Sequence, residues 1–258
     1  MTTRTTPDTA SLHRPVFGAR PVVAQRLSET VAESIAEAMF DGRIQPGDML
    51  PSEGEIAETF SVSKPVAREA LRALTGAGLV HTQQGKVARA RALSGEPFAR
   101  IYGFAIRSSL TRLREANEMR RVVETGIARL AAERRDPDGL AIMARAVVEM
   151  EHALQDPDAF ILADIDFHHG MAIATGNAMI RVQMEAMRTI QEEVTNLFSR
   201  RSGRTDQGWR DTVARHAAIL AAIRSGDGAA TEAAIADHFA AADIASLEVA
   251  EQKGLHRE

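Results

Sequence analysis

Four side chains in the C-terminal half have the types and spacing of a metal site. Asp164 and His168 are four residues apart in a helix-favouring segment, so they share one helix face. His216 and His238 lie in two later segments joined by a Gly-Asp-Gly turn, and antiparallel helices can bring their imidazoles together. One carboxylate and three imidazoles suit Zn²⁺, Ni²⁺ or a similar ion with open coordination positions. Spacing alone leaves an alternative open, because a single helix histidine is usually a surface or capped residue.

A basic helix face is the second candidate site. Lys64, Arg68 and Arg72 recur every four residues and therefore lie on one side of a helix. Residues 61–95 contain six basic side chains and one acidic side chain, a net charge of +5, whereas the whole chain carries −4. A helix that enters the major groove uses such cations to contact phosphates and base edges. A solvated face on an ordinary helix has the same periodicity, so the pattern alone does not decide.

The residues around this face predict a helix-turn-helix. Ser52 and Glu55 form a capping box that starts a short helix. Ser63 caps a second helix, which has Pro65 in its first turn and stops at Gly76. A short turn joins the two helices, as in a DNA-binding helix-turn-helix.

A β-hairpin is predicted directly after the second helix. The expected strands are Leu79-Val80 and Val87-Ala88, with Gln83-Gln84-Gly85-Lys86 at the tip. The glycine supplies the positive φ that a tight tip needs. A hairpin in this position is the wing of a winged helix-turn-helix.

Residues 27–87 resemble the winged helix-turn-helix of GntR-family bacterial transcription regulators. The matching stretches are Asp41-Gly42-Arg43-Ile44, Pro46-Gly47, Leu50-Pro51-Ser52-Glu53, Val62-Ser63-Lys64-Pro65, Arg68-Glu69-Ala70-Leu71, Gly78-Leu79-Val80 and Gln84-Gly85-Lys86. The resemblance implies that Ser63, Lys64 and Arg68 contact operator DNA and that Gly85 approaches the minor groove. The full set of DNA-binding candidates is Ser52, Ser63, Lys64, Arg68, Arg72, Gln84, Gly85 and Lys86.

Two residues depart from the family pattern. Gly54 stands where the family usually has a DNA-contacting arginine, so one phosphate or base contact is expected to be missing. Lys64 replaces the commoner arginine, and a lysine is a point charge that cannot form the bidentate fork used to read guanine.

The rest of the chain predicts an antiparallel all-helical bundle of six or seven helices. Strand-type alternation is absent, and Ala, Leu, Met and Glu favour helix. The expected helices are Phe98–Ser108, Leu110–Arg134, Asp138–Gln155, Asp158–Thr175, Ala178–Arg200, Gln207–Ser225 and Gly228–Glu251. Residues 96–258 carry 20 basic and 25 acidic side chains, so this part is not expected to lie on DNA.

Residues 118–238 resemble the all-helical effector domain, called FCD, of the FadR subfamily. The matching stretches are Glu118-Met119-Arg120, Glu124, Leu130-Ala131-Ala132, Asp164 to His168, Gly176-Asn177, His216 to Ile219, Gly226-Asp227 and His238. The resemblance implies that Asp164, His168, His216 and His238 hold a divalent metal, with zinc expected and nickel or manganese as alternatives.

Arg120 matches an arginine that often faces the effector pocket in this subfamily. A guanidinium beside a metal with open positions could bind the carboxylate of an organic acid. The alternative is an intrahelical ion pair with Glu124, four residues further along.

These observations predict a ligand-responsive transcription repressor, a homodimer that binds a pseudo-palindromic operator. A metal-independent, acyl-CoA-responsive regulator is one alternative. A metal-dependent enzyme on the bundle is a weaker one, because an enzyme needs a general base or nucleophile beside the metal and the sequence presents none.

The expected domain organisation is a disordered tail over residues 1–21, the winged domain over 22–89, a linker over 90–97 and the effector domain over 98–253. The chain has no cysteine and no apolar run long enough to cross a membrane. It is therefore predicted to be cytoplasmic, with no membrane partner.

Overall fold

The computed structural model describes residues 22–82, 87–107, 109–200 and 204–252, with side chains described from Arg26 to Ala241. The chain divides into two compact units, with the boundary between Ala92 and Leu93. The predicted disordered tail and the wing-tip candidates Gln84, Gly85 and Lys86 lie outside the described residues.

The N-terminal unit is a winged helix-turn-helix, as predicted. Its elements are α1 (Val22–Phe40), α2 (Glu53–Thr59), α3 (Lys64–Gly76), β1 (Val80–His81) and β2 (Arg89–Ala90). One face of α3 is buried through Ala67, Ala70, Leu71 and Leu74, at the 3–4-residue spacing of an amphipathic helix. Its opposite face therefore points to solvent.

Side-chain caps set the start of α2 more firmly than that of α3. Ser52 and Glu55 form the predicted capping box, in which Ser52 Oγ accepts from the Glu55 N–H and Glu55 accepts from the Ser52 N–H. Ser63 is the N-cap residue of α3, but its side chain makes no capping hydrogen bond. Pro65 in the first turn replaces an N–H that has no helical partner in any case.

The wing strands lie further along the chain than predicted. Val80 pairs with Ala90 and His81 with Arg89, so Leu79, Val87 and Ala88 are not strand residues. A long-range partner explains the shift, because β2 is also held along its other side by the segment before α2. The bonds run from Gly47 N to Ala90 O, from Ala90 N to Asp48 O and from Leu50 N to Ala88 O.

The second unit contains eight helices among the residues that the structure describes. They are α4 (Glu96–Ile106), α5 (Leu110–Arg134), α6 (Pro137–His152), α7 (Pro157–Ile173), α8 (Ala178–Ala186), α9 (Arg188–Ser199), α10 (Asp206–Ser225) and α11 (Gly228–Gln252). The predicted linker is shortened at both ends, since β2 includes Ala90 and α4 begins at Glu96.

The single helix predicted from Ala178 to Arg200 is wrong, because the chain breaks at Met187 into α8 and α9. No glycine or proline marks the break. Met187 is almost completely buried in the main core of this unit, so packing rather than local sequence sets the change of direction.

Two glycines allow close backbone contacts in this unit. A Cβ at Gly139 would lie 2.2 Å from Ala174 N, so α6 can press directly against the end of α7. A Cβ at Gly95, the N-cap of α4, would lie 2.2 Å from Ala186 N at the end of α8. The Gly95 N–H also donates to Glu185 Oε2 at 3.0 Å, which fixes the start of α4 on α8.

Among the described residues, the helices are too short or too polar for any of them to cross a bilayer.

Candidate metal centre and candidate DNA-binding face

Three imidazoles from three helices meet inside the second unit. His168 comes from α7, His216 from α10 and His238 from α11, and each offers a ring nitrogen within 4.8 Å of the other two. His168 and His216 are fully buried and His238 is 8% exposed. Asp164 lies one turn before His168, and its Oδ1 is 3.0 Å from His216 Nε2. The structure thus brings the three predicted histidines together and places Asp164 against His216.

The protonation states of His238 and Asp164 favour metal binding. Burial, reinforced by His216 and His168, holds the pKa of His238 well below its usual range, so this imidazole keeps a free lone pair at neutral pH. Burial would raise the pKa of Asp164, but its contact with His216 and the nearby positive charge hold it well below its usual value. An ionised carboxylate beside a neutral imidazole is the form in which both bind metal.

The hydrogen bonding of His216 shows which of its two ring nitrogens faces the candidate site. His216 Nδ1 donates to the Thr212 carbonyl oxygen at 2.8 Å, which leaves Nε2 as the ligand atom. That Nε2 is buried without a hydrogen bond, although Asp164 Oδ1 is only 3.0 Å away. The two atoms are close without the angles of a hydrogen bond. This arrangement fits a donor pair directed at a shared cation.

The other oxygen of Asp164 is fixed by α9. Oδ2 accepts from Thr195 Oγ1 at 2.8 Å and from Gln191 Nε2 at 3.1 Å, and Gln191 also donates to the Asp164 carbonyl oxygen. Gln191 and Thr195 are four residues apart on one face of α9 and were not identified from the sequence. Because Oδ2 is occupied, Oδ1 is the oxygen available to a metal.

Glu124 on α5 supports His168. Its Oε2 lies 2.5 Å from His168 Nδ1, and its other oxygen pairs with Arg120 Nε. Glu124 Oε2 and His168 Nδ1, like His216 Nε2, are close without the angles of a hydrogen bond, and carboxylates beside metal-binding histidines commonly orient them. Arg120 forms the ion pair with Glu124 that the sequence offered as an alternative, and it also lines the cavity beside the centre, so its contact with an effector stays a prediction.

A cavity of about 50 Å³ opens beside these residues. Its lining includes Arg120, Asp164, Thr195, Arg204, Thr212, Arg215 and His238, together with apolar residues of α7 and α9. Arg204 and Arg215 were missed in the sequence, because nothing in the sequence pattern shows that their side chains reach this cavity.

The basic face of α3 is exposed as predicted. Ser63, Lys64, Arg68 and Arg72 all lie on the solvent side of the helix. Two of these cations are paired within the unit: Arg68 forks over Glu53 at 2.8–3.1 Å, and Arg72 Nη1 lies 2.7 Å from Glu69 Oε1. The Arg68 guanidinium lowers the pKa of Glu53.

Ser52 is exposed, but its hydroxyl already caps α2 by accepting from Glu55 N at 3.3 Å. Its role in the fold is therefore to start this helix. The stem of Lys64 passes the backbone of Gly54, since a Cβ at residue 54 would be 3.7 Å from Lys64 Cε.

A winged helix-turn-helix in the same chain as a helical unit with a buried histidine cluster is the organisation of a DNA-binding transcription regulator. Residues 27–89 match the family of bacterial regulatory proteins called gntR, and residues 115–241 match the FCD domain. The chain belongs to the GntR family of bacterial transcription regulators, and it is not an enzyme.

Individual relatives agree with this assignment. The HTH-type transcriptional repressor NanR of Escherichia coli K12 is 28% identical over 227 residues, which cover 85% of this chain and 84% of that protein. NanR of Salmonella newport is 31% identical over 161 residues, 61% of this chain and 62% of that protein. A Streptococcus agalactiae GntR structure covers 84% of this chain and 99% of that chain, with a TM-score of 0.66 and 24% identity, which supports the fold.

Proposed function

We propose that the protein is a repressor released from its operator by a small organic acid that binds at a divalent metal centre in the helical unit. The metal would be held by Asp164 Oδ1, His168, His216 Nε2 and His238. Zinc is the expected ion, with nickel or manganese as alternatives. The observation that carries this proposal is the buried, unbonded His216 Nε2 that shares its position with Asp164 Oδ1.

The effector is proposed to bind through a carboxylate. Four protein ligands leave open positions on the ion, and one carboxylate does not neutralise its charge. Arg120 lines the adjacent cavity and is only 3% exposed, so its guanidinium acts there with little screening by water.

Coupling to DNA requires that the acid bind the operator-competent and operator-incompetent states with different affinities. Helices α7, α10 and α11 carry the ligands, and α9 holds Asp164 through Gln191 and Thr195. Closure of the centre around an acid would therefore pull on four helices at once.

A homodimer on a pseudo-palindromic operator is part of the proposal. One small winged domain has few contacts to DNA, and two-fold pairing doubles them. Sedimentation of the free protein and of its DNA complex tests this, and a monomer on one half-site would contradict it.

A metal-free alternative has one observation in its favour. Arg120 Nη2 lies 3.3 Å from His168 Nε2, so this guanidinium occupies space next to a proposed ligand atom. In that case Arg120, Glu124 and His168 would form a closed polar network, and the effector would bind without an ion.

Metal analysis distinguishes the metal-dependent proposal from the metal-free alternative. Purified wild-type protein should contain about one divalent ion per chain, and His216→Ala should lose both the ion and the response to acid while still binding operator DNA. His152→Ala is the matched control, because His152 is exposed at the end of α6. A metal-free wild type that still responds to its effector would support the alternative.

A further inference from the structure

Two side chains of α9 bind the oxygen of Asp164 that does not face His216. Thr195 Oγ1 donates to Oδ2 at 2.8 Å, and Gln191 Nε2 donates to the same oxygen at 3.1 Å. Gln191 and Thr195 are only 2% and 8% exposed, so water competes little for either bond. The other oxygen, Oδ1, lies 3.0 Å from His216 Nε2. The two oxygens of this carboxylate therefore have different surroundings.

The hydroxyl of Thr195 is used differently from three other helix hydroxyls of this chain. Thr59, Thr125 and Thr212 each donate their proton to the carbonyl oxygen four residues earlier, a common bond for a threonine inside a helix. A hydroxyl has one proton to donate, and that of Thr195 goes to Asp164 on α7. This bond therefore joins two helices at the candidate centre.

The bonds to Oδ2 limit how Asp164 can coordinate an ion. A carboxylate oxygen has about two lone-pair sites, and the donors of Thr195 and Gln191 fill both sites of Oδ2. Coordination through both oxygens needs a free lone pair on each, so Asp164 can offer an ion only Oδ1. Gln191 also donates to the Asp164 carbonyl oxygen at 3.0 Å, which fixes its amide against the backbone of α7. Rotation of the carboxylate would break the bonds from both side chains.

The number of oxygens that Asp164 can offer affects the choice of ion. Zn²⁺ is usually bound by four nitrogen, sulfur or oxygen atoms and can accept a fifth, so three imidazoles and one carboxylate oxygen are enough to hold it. Mn²⁺ prefers a larger number of oxygen ligands in octahedral geometry. A carboxylate limited to one oxygen therefore suits zinc better than manganese.

We infer that Thr195 and Gln191 determine which divalent ion the centre prefers, by restricting Asp164 to one coordinating oxygen. This inference rests on the proposed function, since it applies only if Asp164 and the three histidines hold an ion. Neither residue of α9 belongs to the proposed ligand set. Both are positioning residues that act through Asp164, and their loss should favour Mn²⁺ relative to Zn²⁺.

Competition with a metal-binding dye tests the inference on chelator-treated, full-length protein, with Zn²⁺ and Mn²⁺ as separate probes. Zinc should bind more tightly in every variant, because a nitrogen-rich site follows the usual order of divalent metals, so the ratio of the two Kd values is compared. Thr195→Val keeps the shape of the side chain and removes the hydroxyl. It should lower the zinc preference about tenfold or more, since zinc loses an oriented ligand whereas manganese gains access to Oδ2. A ratio equal to that of the wild type would overturn the inference.

Two further variants distinguish this role from a general loosening of the helices. Thr195→Ser keeps the hydroxyl and should restore the wild-type ratio. Gln191→Met removes the other donor and should shift the ratio in the same direction as Thr195→Val, so a failure of either variant to fold leaves a second test. Equal weakening of zinc and manganese binding in these variants would contradict the inference, because loosening alone affects both ions.

Thr189→Val is the matched control for the loss of a hydroxyl from α9. Thr189 is half-buried and faces α4, since a Cβ at Gly103 would lie 3.2 Å from Thr189 Cγ2. The same chemical change at this position should leave the ratio of zinc to manganese affinity unchanged. A shift as large as that of Thr195→Val would contradict the assignment to the Asp164 contact.

The wild-type titrations distinguish a failure of this inference from a failure of the proposed function. If the wild type binds neither zinc nor manganese, the metal centre fails and the inference fails with it. If the wild type binds both ions and the ratio is unchanged in Thr195→Val and Gln191→Met, the metal centre stands and only the inference fails.

Discussion

The guanidinium of Arg68 on α3 forks over the carboxylate of Glu53 on α2, with its Nε and Nη2 atoms 2.8–3.1 Å from the two oxygens. Both side chains are substantially exposed, so the pair adds little to stability. Its effect is to orient the Arg68 fork on the exposed face of the helix-turn-helix. When DNA binds, either a DNA group displaces Glu53 as the partner of Arg68, or the pair stays intact and the oriented Arg68 contacts the DNA.

Replacement of Arg68 by alanine should weaken specific operator binding by about 1–3 kcal/mol, the cost of one lost base contact. Fluorescence anisotropy with an operator selected from random DNA, and with a scrambled duplex of equal length, measures the loss. An equal loss on both duplexes would assign Arg68 to phosphate contact rather than base reading.

Glu53→Gln should raise the affinity for DNA of any sequence and lower the preference for the operator over scrambled duplex. Removal of a negative charge near the DNA raises binding to scrambled duplex, while the less oriented Arg68 lowers the preference for the operator. Glu58→Gln is the control, because Glu58 is exposed on the same helix and its substitution also removes one negative charge. If both variants keep the same operator preference, the Glu53 contact does not orient Arg68.

Lys64 and Gly54 allow a paired test of phosphate contacts. Lys64→Ala should reduce the salt slope of binding by about 0.9, the value for one released counterion, and Gly54→Arg should raise it by a similar amount. A Cβ at residue 54 would meet only ordinary van der Waals contacts, at 3.7 Å or more, so the backbone there accepts a side chain. Affinity measured between low and high salt gives both slopes. An unchanged slope in Gly54→Arg would mean that residue 54 does not face the backbone of the DNA.

Glu124→Gln should lower metal affinity about 10–100-fold, because His168 loses the carboxylate that orients it. Competition with a metal-binding dye measures this affinity. Glu133→Gln, an exposed position on the same helix, should leave it unchanged. If the Glu124→Gln protein bound the metal with unchanged affinity, Glu124 would not be needed to orient His168.

The metal-free protein should lose stability in acid through His238. The folded-state pKa of His238 is depressed, so below its ordinary value of 6.5 the unfolded chain binds a proton that the folded chain does not, and the free energy of unfolding falls as pH falls. Asp164, Arg120, His168 and His216 surround this imidazole. Urea unfolding of chelator-treated protein at pH 7.5 and 5.5 measures the loss, and His238→Gln should make it smaller. An equal loss in that variant would place the effect elsewhere.

Local signals predicted much of this molecule. The capping box at Ser52 depends on a few neighbouring residues, and spacing places Asp164 and His168 on one helix face. The full ligand set with His216 and His238 came from the resemblance to the FCD effector domain. The contact between Glu124 and His168 joins segments that are distant in the sequence, so only packing reveals it. The break at Met187 and the position of β2 were missed for the same reason, since both depend on contacts remote in sequence.

The close backbone contact between Gly95 and α8 has a practical consequence for building hybrid regulators. Gly95 follows the end of the N-terminal unit by only three residues. A junction that imports a foreign residue at 95 would place its Cβ 2.2 Å from Ala186 N, against backbone that cannot move aside like a flexible side chain. A foreign DNA-binding module should therefore be joined at residue 92 or 93, with native sequence retained from Ser94 onward.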